Sequence, residues 1–234
     1  MNLIKPNNPI LLAIDHTEIS TIEQLITQTK DYIGGIKLGL EFWNKYGKEG
    51  VQNLIQKHHN IPLFLDLKLH DIPNTVYKGL SNVMELNPLL ITIHALGGAN
   101  MISKAKEVTN NTQTKLITVT ILTSLDEDDL ASLGMKDIES QILKLTELAL
   151  NNGADGIVCS PQELFMIRKN FGQDFIIVTP GIRTYEDIGP DDQKRVMPPK
   201  EALILGSTYL VIGRPITNHP NPQEKARLIL DSLA

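Results

Sequence analysis

The sequence predicts an α/β protein, a (β/α)8 TIM barrel spanning 1–234 as a single domain. Three observations predict it. Eight short apolar runs recur along the chain, helical patterns separate them, and polar residues close nearly every run at its C-terminal end. The runs are rich in β-branched residues and lack clean alternation, as expected of strands buried on both faces of a parallel sheet. Strand–helix alternation repeated eight times argues for a barrel. A doubly wound open sheet is the architectural alternative.

The runs fall at 10–14, 33–38, 63–67, 89–93, 116–122, 156–158, 175–178 and 209–212. Asp15 follows the first and could simply cap a helix. Residues 21–30 then carry apolar side chains at helical spacing. Lys37 lies near the end of the second run, and Trp43 in Glu41-Phe42-Trp43 reads as helix packing. The third run leads into DLKLHDIPNT, from Asp66 to Thr75, where Pro73 suits a first helical turn. His94 ends the fourth and reads as a core or loop histidine. Thr123 and Ser124 end the fifth and could be turn formers. Residues 137–151 are again helical in pattern. After the sixth run, Cys159 reads as a core residue, and Ser160-Pro161-Gln162-Glu163 as a capping box with proline at the first helical position. Pro180-Gly181-Ile182-Arg183 follows the seventh run and Gly213-Arg214 the eighth.

Composition bounds the function. Of 234 residues, 41% are hydrophobic and 21% charged, which excludes a disordered chain. The formal net charge is −5 with no Lys/Arg block, which argues against a nucleic-acid partner. A phosphorylated ligand would need locally focused positive groups. A single cysteine permits neither an intramolecular disulfide nor a thiolate zinc site. No apolar run approaches the roughly 18 residues of a membrane helix, and the N-terminus lacks a leader-peptide pattern. The expectation is a cytoplasmic protein with no membrane partner.

Asp66 and Lys68 share strand parity, so both point into the barrel mouth. A solvated charge patch fits poorly beside Phe64-Leu65 in an inner strand. Asp71 has the opposite parity. It joins them only if the chain turns; otherwise it points outward, toward another subunit. Flanking carboxylates keep a lysine protonated, which suits a fixed cation and proton donor better than a Schiff-base nucleophile. The reaction should therefore develop negative charge beside Lys68. Magnesium held by Asp66 and Asp71 is disfavoured by the ammonium between them. At the other end, Gly213 and Arg214 suit a phosphate, since glycine lets backbone N–H groups approach and a helix start adds its dipole. Residues 181–197 are long and polar for a barrel loop, as lids are, with Arg183 and Gln193 as its ligand candidates.

DLKLHDIPNT, VTILTS, VTPGIR and VIGRP, in this order and spacing, resemble the bacterial orotidine 5′-phosphate decarboxylase family, from Ile14-Asp15 to the VIGRPIT segment. The resemblance implies a homodimeric barrel that makes UMP in pyrimidine synthesis, without cofactor or metal. It implies that Lys68 donates the proton to C6 of the pyrimidine and that Asp66 lies near the departing carboxylate. Lys37 and Asp15 would complete the charge array near the ribose. Asp71 and Thr75 would reach across the dimer interface, and Thr123 would contact the pyrimidine. Arg183, Gln193, Gly213 and Arg214 would hold base and phosphate beneath the lid. Two rivals are a magnesium-dependent sugar-phosphate decarboxylase or aldolase of related barrel type, and a phosphate-binding barrel without catalysis. Lys37 on the second strand argues against the first, and the joint presence of Lys37, Asp66, Lys68 and Asp71 against the second.

Overall fold

The computed structural model describes residues 6–135, 137–187 and 196–234. Eight parallel strands close on themselves in sequence order, β8 pairing back to β1. Closure removes the open-sheet alternative. The order is β1 (Ile10–Ile14), α1 (Ile19–Thr29), β2 (Gly35–Gly39), α2 (Leu40–Lys57, interrupted at Gly47), β3 (Leu63–Leu69), α3 (Pro73–Val83), β4 (Leu90–His94), α4 (Gly98–Thr109) and β5 (Lys115–Val119). It continues with α5 (Glu127–Ser132), α6 (Ile138–Asn151), β6 (Gly156–Val158), α7 (Leu164–Phe171), β7 (Ile176–Thr179), α8 (Pro199–Ile204), β8 (Tyr209–Ile212), α9 (Arg214–Thr217) and α10 (Pro222–Asp231).

Strand alternation divides the core into two layers. One parity of each strand faces outward against the helices, as Leu12, Leu38, Leu65 and Ile93 do. The other fills the barrel, where Leu11, Phe64, Leu90, Ile117, Ile176 and Val211 belong to a separate apolar cluster. Each fully buried Leu or Ile contributes roughly 1.5–3 kcal/mol, so both layers are needed to offset the ordering of the chain. Inward positions become polar toward the C-terminal ends, and there the site forms.

Local chemistry explains the element limits. Pro73 stands at the first turn of α3, as expected. The Ser160–Glu163 capping box is present, although the turn it starts is a short 3-10 segment before α7. Cys159 is fully buried, and Trp43 packs, half-buried, against the outer core. β2 begins at Gly35 rather than 33. A side chain at Gly34 would put its Cβ 2.1 Å from the Asn8 carbonyl oxygen, and one at Gly35 would put its Cβ 2.6 Å from that of Pro62. Two glycines let the chain pass close to those carbonyls as the strand starts. β5 stops at Val119, short of the expected 122, and β3 runs two residues further than expected, to Leu69.

Candidate active site

Four charged side chains alternate in sign across the mouths of β1, β2 and β3. Lys37 Nζ lies 3.2 Å from Asp15 Oδ1 and 3.9 Å from Asp66 Oδ2. Lys68 Nζ lies 2.8 Å from the same Asp66 oxygen. The two central members are well removed from water, with side chains 11% exposed for Lys37 and 10% for Asp66. Asp15, at 64%, sits at the rim. Burial makes each attraction stronger than on a surface and makes an unpaired member costly. The parity reading of Asp66 and Lys68 therefore agrees with the structure: both line one cavity.

The backbone under Lys68 departs from a simple strand. Its φ is +49°, a left-handed conformation that costs a non-glycine residue roughly 1–2 kcal/mol. The β3–β4 register shifts at the same place: Leu65 pairs with Ile91, but the next pair is Leu69 with Ile93. Asp66, Leu67 and Lys68 thus face Thr92 alone. The Lys68 N–H donates to Thr92 Oγ1 at 2.9 Å, and the Thr92 hydroxyl donates to Asp66 Oδ1, also at 2.9 Å. Sequence reasoning passed over Thr92 because it sits inside the apolar run Leu-Ile-Thr-Ile. A polar residue at an inward position of a barrel strand was the available signal.

The cavity is about 230 Å³. Besides Asp15, Lys37, Asp66 and Lys68 it is lined by Thr123, Arg183, Gly213 and Arg214, over an apolar floor that includes Phe64, Val119 and Val158. Two ammonium groups and two carboxylates thus stand at the ends of β1–β3, and two guanidinium-bearing residues follow β7 and β8, the latter pairing with β1. Arg183, read from sequence as a loop residue, is only 6% exposed. Its Nη1 donates to the Ile182 carbonyl at 3.0 Å. Gly213 passes close to β1, where an added Cβ would lie 3.3 Å from Ala13 Cβ. The helix after it, α9, is a single turn of four residues. Its dipole is correspondingly short, so the positive field at this end comes mainly from the arginine side chains.

The loop after β7 is closed at its base. Ile182 bridges Met197, the Arg183 N–H donates to the Met197 carbonyl at 3.1 Å, and the Met197 N–H donates to that of Gly181 at 3.2 Å. Just beyond, Lys225 of α10, its side chain 6% exposed, donates to Thr184 Oγ1 at 3.1 Å and lies 3.6 Å from Glu186. Gln193 lies outside the described residues.

Asp71 and Thr75 do not line the cavity. Past the end of β3, Asp71 is exposed and its Oδ1 accepts the Ile72 N–H. Asp66 and Asp71 of one chain therefore do not converge on a common point in this cavity. Among the described residues, no group of three or more His, Cys, Asp or Glu side chains is arranged to hold a metal ion. Exposed apolar side chains follow three adjacent strands: Leu40 after β2, Ile72, 67% exposed, after β3 and just before α3, and Leu96 after β4. His94, at the end of β4, is half-buried and stacks on His70. Burial, then the positive charges of His70 and Lys68, push its pKa down to about 4. No helix among the described residues is long and apolar enough to cross a membrane.

Residues 8–229 match the sequence model of the orotidine 5′-phosphate decarboxylase / HUMPS family. The chain is 44% identical over 228 residues to the orotidine 5′-phosphate decarboxylase of Wolbachia sp. subsp. Brugia malayi, covering 97% of this chain and all of that one. It is 43% identical over 230 residues to the enzyme of that name from Rhodospirillum rubrum, covering 95% and 92%. The crystal structure of orotidine 5′-phosphate decarboxylase from Lactobacillus acidophilus superposes with a TM-score of 0.84 at 33% identity, covering 97% of this chain and 99% of that one.

Proposed function

The chain belongs to the orotidine 5′-phosphate decarboxylase / HUMPS family, and from that premise we propose that it decarboxylates orotidine 5′-monophosphate to UMP, the last step of pyrimidine synthesis. It does so in the cytoplasm as a single catalytic domain, without metal or cofactor. The observation that carries this reading is the alternating array Asp15–Lys37–Asp66–Lys68 in a cavity also lined by Arg183 and Arg214.

The chemistry follows from where charge appears. Breaking the bond between C6 and the carboxylate carbon leaves the electron pair on C6, with little resonance help. The Lys68 ammonium, fixed beside Asp66, stabilises that charge as it forms and then gives C6 a proton. Carbon dioxide leaves, and solvent returns a proton to Lys68. Asp66 stands near the departing carboxylate. Its buried charge is balanced by Lys37 and Lys68, which keeps the lysines in place before substrate arrives. Asp15 and Lys37 contact the ribose, and Thr123 the pyrimidine. Arg183, Gln193, Gly213 and Arg214 take base and phosphate, and phosphate binding drives the 181–197 loop closed.

The working unit is a homodimer. Asp71 and Thr75 are exposed and absent from their own cavity, and exposed Leu40, Ile72 and Leu96 follow β2, β3 and β4. A two-fold interface there would cover the apolar side chains and bring the partner's copy of Asp71 to the array.

Turnover of orotidine 5′-monophosphate in EDTA, followed by ultraviolet absorbance, tests the reading. Folded protein with no activity overturns it, and turnover that appears only with magnesium overturns the metal-free chemistry. Lys68→Ala should keep affinity for UMP while losing turnover.

A further inference from the structure

Thr92 lies on β4, with no exposed surface, at the inward position directly beneath the charge array. Its hydroxyl has one proton and two lone pairs, and both functions are used on catalytic neighbours. As acceptor it takes the Lys68 N–H, the amide that the left-handed turn and the register shift remove from the β3–β4 ladder. As donor it binds Asp66 Oδ1, leaving Oδ2 for the Lys68 ammonium. One hydroxyl thus fixes both the backbone of Lys68 and the counter-ion of its side chain.

We propose that Thr92 is a positioning residue for proton delivery: it holds Lys68 in the left-handed turn and Asp66 in the rotamer that aims the ammonium at the reacting carbon. This rests on the decarboxylase reading above. Lysine has no intrinsic preference for that backbone conformation, and a buried amide without an acceptor would pull the bulge toward another arrangement. Thr92 touches no reacting atom. Its removal should slow the chemical step while leaving nucleotide binding, which in the reading above draws on groups Thr92 does not touch, Arg183 and Arg214 among them, largely intact.

Thr92→Val, nearly isosteric, removes the hydroxyl, and Thr92→Ser keeps it; Thr92→Ala replaces the valine variant if that one does not fold. Thr92→Val should lower kcat by about 10–100-fold, as expected for an ångström-scale displacement of a catalytic group. KM, UMP affinity and Thr92→Ser turnover should stay within about threefold of the unsubstituted enzyme. Unchanged kcat in Thr92→Val, or Thr92→Ser no better than Thr92→Val, overturns the assignment. A crystal structure of Thr92→Val gives a readout independent of turnover. Lys68 Nζ should leave Asp66, and an unmoved Lys68 backbone and ammonium overturn the proposal. Inactivity of the unsubstituted protein would instead defeat the decarboxylase reading, and this structural readout would still judge Thr92.

Discussion

His70 and His94 stack with ring centroids 5.4 Å apart and planes 20° off parallel. The pair stands beside Lys68, and the pKa of His94 is pushed down to about 4 from an ordinary 6.5. The folded chain therefore binds fewer protons than the unfolded chain between about pH 4 and 6.5. Stability rises with pH through that window and is lost as pH falls toward 4, by about 2–3 kcal/mol in full. Urea titrations of the wild type at pH 7 and pH 5 should show this loss, and His94→Phe should flatten it. An equal slope in the variant would assign the acid sensitivity elsewhere.

Lys37 separates two carboxylates, Asp15 and Asp66. Lys37→Met would leave them facing each other with one cation fewer, and Asp66 is buried. A fall in kcat of at least about 100-fold is expected, alongside lower thermal stability from the unpaired buried charge. Steady-state kinetics and a melting curve measure the two effects separately. Asp66→Ala, in turn, tests any direct role for that carboxylate: an unchanged chemical step would remove it from the mechanism.

Arg214 is exposed at the cavity rim, whereas Arg183 is buried in its wall. Replacing a fork of donors by a point charge loses bidentate contact with a phosphate. Arg214→Lys should raise KM for the nucleotide by about 10-fold, with a smaller change in kcat. Lys225→Met, which frees Thr184 and Glu186 from α10, should also raise KM by weakening the base of the loop. Equal KM values in wild type and Lys225→Met would show that the bridge between Ile182 and Met197 is anchor enough.

If Asp71 serves the neighbouring subunit, two inactive variants should rescue each other. Lys68→Ala and Asp71→Ala homodimers each lack an essential group in both sites, but a mixed dimer has one intact site. Unfolding and refolding the two together should restore about a quarter of wild-type activity, the share expected from random pairing in a two-fold dimer. Activity no greater than the sum of the separate variants would place Asp71 in its own subunit's site.

Much of this architecture was legible in the residues. Buried parallel strands write themselves as apolar β-branched runs, so all eight were visible from pattern alone. Parity carried Asp66 and Lys68 to the same cavity. Limits set by the close approach of backbones were not visible: the late start of β2 depends on where Asn8 and Pro62 place their carbonyls. Nor could a propensity argument anticipate a left-handed lysine, because its amide leaves the strand ladder for a side chain of the partner strand, Thr92. The phosphate end was read in part from a helix start after Gly213, and the residues did not show that this helix, α9, is only one turn long.

The apolar layer inside the barrel has a bearing on traffic. Leu11, Phe64, Leu90, Ile117 and their neighbours fill the barrel below the array, so among the described residues it is a well with a stoppered floor. Substrate enters, and both products of a decarboxylation leave, by one opening. Carbon dioxide is small and uncharged, whereas a nucleotide held by Arg183 and Arg214, as proposed above, would be the slower of the two to leave. Such a well makes its own product the natural competitor of its substrate, and it couples the frequency of turnover to the opening of the single mouth.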